Sequence, residues 1–310
     1  MRRQIGITLA ILLPILAVAF LGWRLTRPGE PTPPRVTVCQ ARCHYVGVAL
    51  SSMSQDYLTG FEQTIGIKPG IVENYQGFGQ PFPSLWVRKL LAQGILPMIQ
   101  LQPRRIDLEA VAAGRYDKYL RRYATAVRAL GAPVGLSFGH EMNGAWSSWG
   151  YTNTPPRVFV AAWRHIHQVF TVARARKVIW VWTVVRITPG DSRVAPALRP
   201  WWPGRAYVNW VGLDIYYFSP KVTFRREFVP TITAVRSFTD DPVLLAETAV
   251  PNRSGQVRQI ADMFAGARAW HLLGIIWYNQ NALHNWQLNK GRRAAIAAFR
   301  RGAAGMLAPG

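Results

Sequence analysis

Eight short apolar segments, separated by longer amphipathic segments, constrain the fold of this chain more than any other feature. They are rich in β-branched and aromatic residues and nearly continuous in hydrophobicity, which is typical of strands buried on both faces of a parallel sheet. Since parallel strands need crossover connections, the amphipathic segments between them are predicted to be helices. The eight predicted strands are residues 45–50, 70–75, 96–101, 134–139, 178–185, 210–217, 242–247 and 273–279.

The connecting segments have the lengths and end residues of helices. Residues 107–130 begin at Asp107, a suitable N-cap, and stop before Gly131. No second change of composition and no linker follows Pro34. Residues 44–310 are therefore predicted to form one (β/α)8 TIM barrel. The other predicted helices cover residues 155–175, 254–270 and 289–307.

The first 24 residues predict a segment that exports the rest of the chain. Ile5 to Trp23 is an uncharged apolar run of 19 residues with arginines on both sides, close to the length that spans a bilayer. Ala17 to Ala19 also fits a signal-peptidase site. Two interpretations remain, an uncleaved membrane anchor and a cleaved signal. The barrel is expected to be either anchored to the membrane and facing outward, or secreted.

Residues 25–43 are predicted to be a proline-rich, extended linker between this segment and the barrel. Cys39 and Cys43 lie at its end and are the only cysteines in the sequence. In an exported protein a lone pair favours a disulfide, which at this spacing requires a turn or helical geometry. Two free thiols are the alternative, and two cysteines alone do not make a metal site.

The chain is strongly basic, with 37 Lys and Arg against 15 Asp and Glu and a net charge of +22. The basic residues are spread along the sequence without a compact run, and no nucleic-acid-binding motif is present, so nucleic acid is not an expected partner. Two interpretations remain open. One is arginine-rich codon usage with solvated helix faces, and the other is attraction to an anionic surface polymer or lipid.

Carboxylates at strand ends point to the chemistry, because TIM-barrel active sites lie at the carboxyl ends of the strands. Glu141, Asp214 and Glu247 fall at or near the ends of predicted strands 4, 6 and 7. Asp214 is interpreted as structural. Glu141 and Glu247 are expected to face one cleft, and two such carboxylates flanking a substrate are the groups that cleave a glycosidic bond. For either Glu alone, a salt bridge with an arginine is the alternative.

The segment GHEMNGAWSSWG, residues 139–150, resembles the strand-4 signature of glycoside hydrolase family 26, whose members are mostly endo-β-1,4-mannanases of clan A. LLAET, residues 244–248, resembles the strand that carries the nucleophile, and residues 275–286 resemble the eighth strand. The resemblance extends over about residues 44–290 and implies a TIM barrel with retaining glycosidase chemistry.

The resemblance also implies roles for individual residues. Glu141 matches the general acid/base, and Glu247 matches the nucleophile. Tyr216 matches a tyrosine that hydrogen-bonds the nucleophile, and Trp277 matches the platform under the sugar. For each aromatic residue, packing in the core is the alternative. The predicted substrate-binding residues are His140, Asn143, Trp146, Trp149, Tyr216 and Trp277.

The expected function is a retaining endo-β-glycosidase acting on a β-linked polysaccharide, most simply β-1,4-mannan. The same chemistry on β-1,3-1,4-glucan, xylan or an exopolysaccharide is one alternative. A non-catalytic polysaccharide-binding protein on the same barrel is another. The chain departs from the family pattern at Ser137, where an arginine is usual, and at Leu101–Pro103, where the family often has Trp-Glu-Pro. No metal and no cofactor is implied.

Overall fold

The computed structural model describes residues 44–308. The predicted anchor or signal at residues 1–24, the linker at residues 25–43 and both cysteines lie outside the described residues, so these expectations stay predictions. Within residues 44–308, every helix is too short or too polar to span a bilayer.

Eight parallel strands close into a barrel in chain order, with the first strand hydrogen-bonded to both the second and the eighth. The predicted (β/α)8 barrel is therefore confirmed, and every strand overlaps the segment predicted for it. The strands are β1 (Tyr45–Ala49), β2 (Ile71–Gly77), β3 (Leu96–Gln102), β4 (Val134–Phe138), β5 (Val178–Val185), β6 (Trp210–Asp214), β7 (Val243–Thr248) and β8 (Gly274–Tyr278).

Helices surround the barrel and follow most of the strands. The helix predicted over residues 107–130 is divided in two, because the chain turns at Gly114, whose φ of +81° lies in the left-handed region. Asp107 caps the first half, and its carboxylate accepts a hydrogen bond from the Glu109 backbone N–H at 2.9 Å. The helices are α1 (Gln55–Ile65), α2 (Ser84–Ala92), α3 (Leu108–Ala112), α4 (Asp117–Arg128), α5 (Pro156–Val172), α6 (Phe224–Glu227), α7 (Val229–Arg236), α8 (Gln256–Ala269) and α9 (Arg293–Leu307).

Residues 186–209, which connect β5 to β6, contain only the short 3-10 helices Arg199–Trp201 and Arg205–Tyr207. Prolines at positions 189, 196, 200 and 203 explain this, because each removes a backbone donor and prevents a continuous α-helix. The first part of this connection reaches the mouth of the barrel, where it contributes Asp191 and Arg193 to the wall of a cleft.

Side chains on each strand alternate between the barrel interior and the layer beneath the helices. The innermost apolar cluster includes Ile71, Met98 and Val181. Further along the strands, toward their carboxyl ends, the interior side chains become polar. We call these buried residues the polar layer; they are Glu73, Gln100, Ser137, Thr183 and Asp214.

Candidate active site

A cleft of about 970 Å³ opens at the carboxyl ends of the strands, directly above the polar layer. Its wall contains residues of the strands and of the loops that follow them. Both catalytic candidates and three of the six predicted substrate-binding residues line it. These five residues are His140, Glu141, Trp146, Tyr216 and Glu247.

The loop after β4 places Glu141 at the cleft through two left-handed residues. Gly139 has a φ of +56° and Glu141 a φ of +54°, and the Glu141 backbone N–H donates to the carbonyl of Thr183 at 2.9 Å. A side chain at position 139 would bring its Cβ within 3.2 Å of Trp149. Left-handed non-glycine residues cluster at functional sites, because they persist only where surrounding contacts hold them.

The environment of Glu141 favours a protonated carboxyl group at neutral pH. Burial raises the pKa of Glu141 to about 8, and the negative charge of Glu247 adds to this rise. Trp146 opposes the rise, because its indole N–H donates to Glu141 Oε2 at 2.6 Å and stabilises the ionised form. A carboxylic acid held in this way can donate a proton to a substrate oxygen.

A β-bulge in β7 turns Glu247 toward the cleft. Gly212 pairs with Leu244, but Asp214 pairs with Glu247, so β7 contains one residue more than β6 over this interval. An extra residue of this kind bends a strand and redirects the side chain that follows it. Ala246 already packs in the interior cluster, and because of the bulge its neighbour Glu247 faces the interior as well.

Two tyrosine hydroxyls hold the Glu247 carboxylate. Tyr75 donates to Oε1 at 2.7 Å, and Tyr216 donates to Oε2. Burial raises the pKa of Glu247, whereas these two donors oppose the rise by stabilising the charged form. The contact from Tyr216 matches the role implied for it by the resemblance, and Tyr75 was not predicted from the sequence.

His140 lies beside the two carboxyl groups as a neutral imidazole. Burial lowers its pKa to about 3, and the positive charge of Arg104 acts in the same direction. The ring centroid lies 5.8 Å from that of Tyr75 and 5.9 Å from that of Trp149. His140 therefore adds no charge to the cleft near neutral pH.

Two further carboxyl groups, Glu73 and Asp214, belong to the polar layer. Burial and then the negative charge of Glu247 raise the pKa of both well above its ordinary range. Asp214, interpreted from the sequence as structural, lines the cleft. Glu73 lies inside β2 and was not predicted from the sequence.

Trp277 does not reach the cleft, which corrects the sugar-platform role implied for it. It is fully buried, its indole N–H donates to the carbonyl of Trp286 at 2.8 Å, and its ring packs on Phe299. The reason is the alternation along β8, since Trp277 shares the outward side with Ile275. The next residue, Tyr278, faces the cleft.

Asn143 and Trp149 are also absent from the cleft wall, in contrast to the prediction. The Asn143 amide pairs with both backbone groups of Val185 at 2.9 Å, which fastens the loop after β4 to the end of β5. The Trp149 indole N–H donates to the His140 carbonyl at 2.7 Å, and the residue is 4% exposed. Both residues support the loop that carries Glu141 instead of facing the substrate space.

Aromatic side chains that the sequence reasoning missed complete the cleft wall. Trp286 packs beside Tyr216, with ring centroids 5.0 Å apart, and beside Phe218 at 5.7 Å. Tyr278 lies 5.6 Å from Tyr216. Strand alternation would have identified Tyr278, whereas Trp286 follows a loop in which no simple periodicity applies. Trp146, whose indole N–H donates to Glu141, is 53% exposed.

His140, Asp214 and Glu247 offer ligand atoms that lie within 4.8 Å of one another, so among residues 44–308 they form the group best placed to hold a metal ion. Two features disfavour a cation there. Both oxygens of Glu247 already accept hydrogen bonds from tyrosines, and the raised pKa of Asp214 favours its neutral form. The expectation that no metal or cofactor is needed stays a prediction.

Residues 107–266 match the family model for glycosyl hydrolase family 26. Endoglucanase H of Acetivibrio thermocellus is 26% identical over 265 residues, which cover 80% of this chain and 29% of that protein. A mannan endo-1,4-beta-mannosidase of Bacillus subtilis is 27% identical over 184 residues, covering 52% of this chain and 49% of that protein. The chain thus spans half or less of the length of these relatives.

The catalytic domain of an endo-β-1,4-mannanase from Bacillus sp. JAMB-750 has the same fold, with a TM-score of 0.64 at 14% identity over 84% of this chain and 85% of that one. At that identity the likeness concerns the fold alone. The family match covers more than half of the sequence and includes β4, β5, β6 and β7. The chain therefore belongs to glycosyl hydrolase family 26.

Proposed function

We propose that the protein is a retaining endo-β-glycosidase that hydrolyses a β-linked polysaccharide, most simply β-1,4-mannan. One observation carries the proposal: two carboxyl groups in one cleft have environments suited to opposite roles. Glu141 has a pKa of about 8 and holds a proton at neutral pH. Glu247 accepts a hydrogen bond on each oxygen, which stabilises and orients its charged form.

In the first step, Glu247 attacks the anomeric carbon while the bond to the leaving oxygen breaks, and Glu141 gives its proton to that oxygen. A glycosyl ester forms on Glu247, which removes the negative charge that had raised the pKa of Glu141. Glu141 then accepts a proton from water as the water attacks the anomeric carbon and releases Glu247. The change in charge thus converts one residue from acid to base.

The cleft walls support a polysaccharide as the substrate. Flat aromatic faces contact the apolar faces of sugar rings, and two tryptophans line the cleft with the catalytic pair. Trp146 hydrogen-bonds Glu141, and Trp286 packs on Tyr216, which hydrogen-bonds Glu247. The mannosidase relative favours mannan, whereas the endoglucanase relative favours a glucan. Mannan remains the first choice because it agrees with the family resemblance of the loop after β4.

The experiment is a reducing-end assay of the full chain on β-1,4-mannan, β-1,3-1,4-glucan and xylan. We expect hydrolysis that Glu247→Ala abolishes and Glu141→Gln lowers severely, whereas the exposed Glu109→Gln control retains it. Glu247→Ala with wild-type turnover would refute the nucleophile assignment. A full chain that binds these glycans but releases no reducing ends would instead support the non-catalytic alternative.

We further propose that residues 1–24 carry the barrel out of the cytoplasm and hold it at the membrane. The uncharged run from Ile5 to Trp23 supports this proposal. Cell fractionation of the full chain is the test, with the expected result that the protein sediments with membranes. Recovery of a soluble extracellular form that begins at Phe20 would identify a cleaved signal in place of an anchor.

A further inference from the structure

Most of the positive charge of residues 44–308 lies outside the catalytic cleft. Between positions 44 and 308 the sequence has 31 Lys and Arg but 14 Asp and Glu. Five of these acidic residues lie in the cleft or in the polar layer beneath it: Glu73, Glu141, Asp191, Asp214 and Glu247. The remaining surface is therefore even more strongly cationic than the net charge suggests, and a field of one sign attracts ligands of the other.

Three arginines, Arg104, Arg186 and Arg193, line the cleft, and two of them are neutralised. Arg193 binds Asp191 through two hydrogen bonds of 3.0 and 2.9 Å. Arg186 forms an ion pair with the buried Glu227. Arg104 forms no ion pair with any carboxylate of residues 44–308.

Arg104 is exposed in the loop that follows β3, and its guanidinium donates to the neutral side-chain oxygen of Gln102 at 2.9 Å. It is close enough to His140 for its charge to act on that ring. His140 is neutral, so it does not offset the charge of Arg104. One guanidinium with unused donors thus stands at the wall of the cleft that also holds Glu141 and Glu247.

We propose that the natural substrate is an acidic glycan, with an anionic substituent on a sugar ring that binds Arg104. This inference rests on the proposed function and concerns the substituents of the substrate instead of its backbone. A guanidinium presents paired donors that match a carboxylate or a sulfate. The hydroxyl groups of a neutral glycan can accept hydrogen bonds from Arg104, but such a glycan uses neither its charge nor the attraction of the cationic surface. Both features are explained if the polymer itself carries negative charge.

The probes are glucomannan and carboxymethyl glucomannan of equal chain length. Binding is measured by calorimetry with the full chain carrying Glu247→Ala, so that neither polymer is cleaved. We expect tighter binding of the carboxymethylated chain in 0.05 M salt, and Arg104→Gln reduces this preference by roughly three- to tenfold. In 0.5 M salt the preference shrinks, since screening already acts within about 10 Å at 0.1 M.

The matched control is Arg176→Gln. Arg176 is also exposed, but it lies in the connection from α5 to β5 at the opposite end of the barrel. The Arg176→Gln substitution removes the same charge without changing the cleft, so the preference for the carboxymethylated polymer is expected to change by less than about twofold. Equal affinity of the parent for both polymers overturns the inference, and so does an equal loss in the two arginine variants, which would assign the effect to net charge alone.

Hydrolysis is scored separately with the wild-type chain. A protein that prefers the carboxymethylated polymer through Arg104 but releases no reducing ends from either one refutes the proposed function and leaves the charge preference standing. A protein that hydrolyses glucomannan but does not prefer the carboxymethylated polymer supports the proposed function and refutes the acidic-glycan inference.

Discussion

The replacement Tyr75→Phe tests how the proposed nucleophile is kept ionised. It removes one hydroxyl and leaves the ring, which packs near His140 and Tyr278. Glu247 Oε1 then loses the donor at 2.7 Å, while Oε2 keeps its hydrogen bond from Tyr216. The change therefore isolates a single charge-assisted hydrogen bond in a buried site.

The size of the effect follows from the energy of that bond. Hydrogen bonds to charged groups contribute about 1.5–3 kcal/mol, and 1.36 kcal/mol corresponds to about one pKa unit, so the apparent pKa of the Glu247 carboxylate should rise by about one to two units. The nucleophile must be ionised to attack. A higher pKa therefore moves the acid limb of the kcat/KM profile to higher pH by the same amount, because this limb reports the free enzyme.

The assay is the pH dependence of kcat/KM on the best glycan. Tyr278→Phe is the matched control, since Tyr278 also lines the cleft but makes no hydrogen bond to Glu247 among the described residues. Its acid limb should stay in place, whereas Tyr216→Phe should reproduce the shift through Oε2. An unchanged acid limb in Tyr75→Phe, together with a clear shift in Tyr216→Phe, would refute the role of Tyr75.

Three other predictions concern the remaining carboxyl groups and the stereochemistry. Trp146→Phe should move the basic limb of kcat/KM upward from about pH 8, because the lost indole donor no longer stabilises ionised Glu141; a downward shift would contradict this. The thermal midpoint of Glu73→Gln, measured relative to that of the wild type, should rise as the pH increases from 5 to 8. The folded-state pKa of Glu73 is raised, so the folded wild type binds more protons than the unfolded chain in this window and loses stability with rising pH. The exposed Glu109→Gln should show a flat difference over the same range. Proton NMR of the first product should show the substrate's anomer, and initial release of the inverted anomer would refute attack by Glu247.

The barrel was predictable because eight short, nearly continuous apolar segments alternate with amphipathic ones, which is typical of strands buried on both faces of a parallel sheet. Glu141 and Glu247 were predictable because strand ends in this fold converge on one cleft. Trp277 was misassigned through motif matching alone, although the alternation with Ile275 and Ile276 places it on the outer side of β8. Attention to strand alternation would have selected Tyr278 instead.

Other features of the site could not be predicted from any pattern in the sequence. The bulge that turns Glu247 inward depends on pairing between β6 and β7, which no local periodicity encodes. Glu73 is a carboxylate inside a buried strand, and it is tolerated because burial keeps it protonated and Gln100 lies beside it. Tyr75 could not be linked to Glu247 from the sequence, because 172 residues separate them and only barrel closure brings them together.

The left-handed backbone at Glu141 has a consequence for how this protein evolves. Most side chains with a Cβ, glutamate included, are disfavoured there by about 1–2 kcal/mol, whereas glycine has no Cβ and asparagine offsets part of this cost through local hydrogen bonds. Drift toward a more stable loop therefore leads away from glutamate at this position. A descendant that no longer needed the proposed reaction would be free to relax to glycine or asparagine, so retention of glutamate at position 141 is expected only where the proposed hydrolysis is under selection.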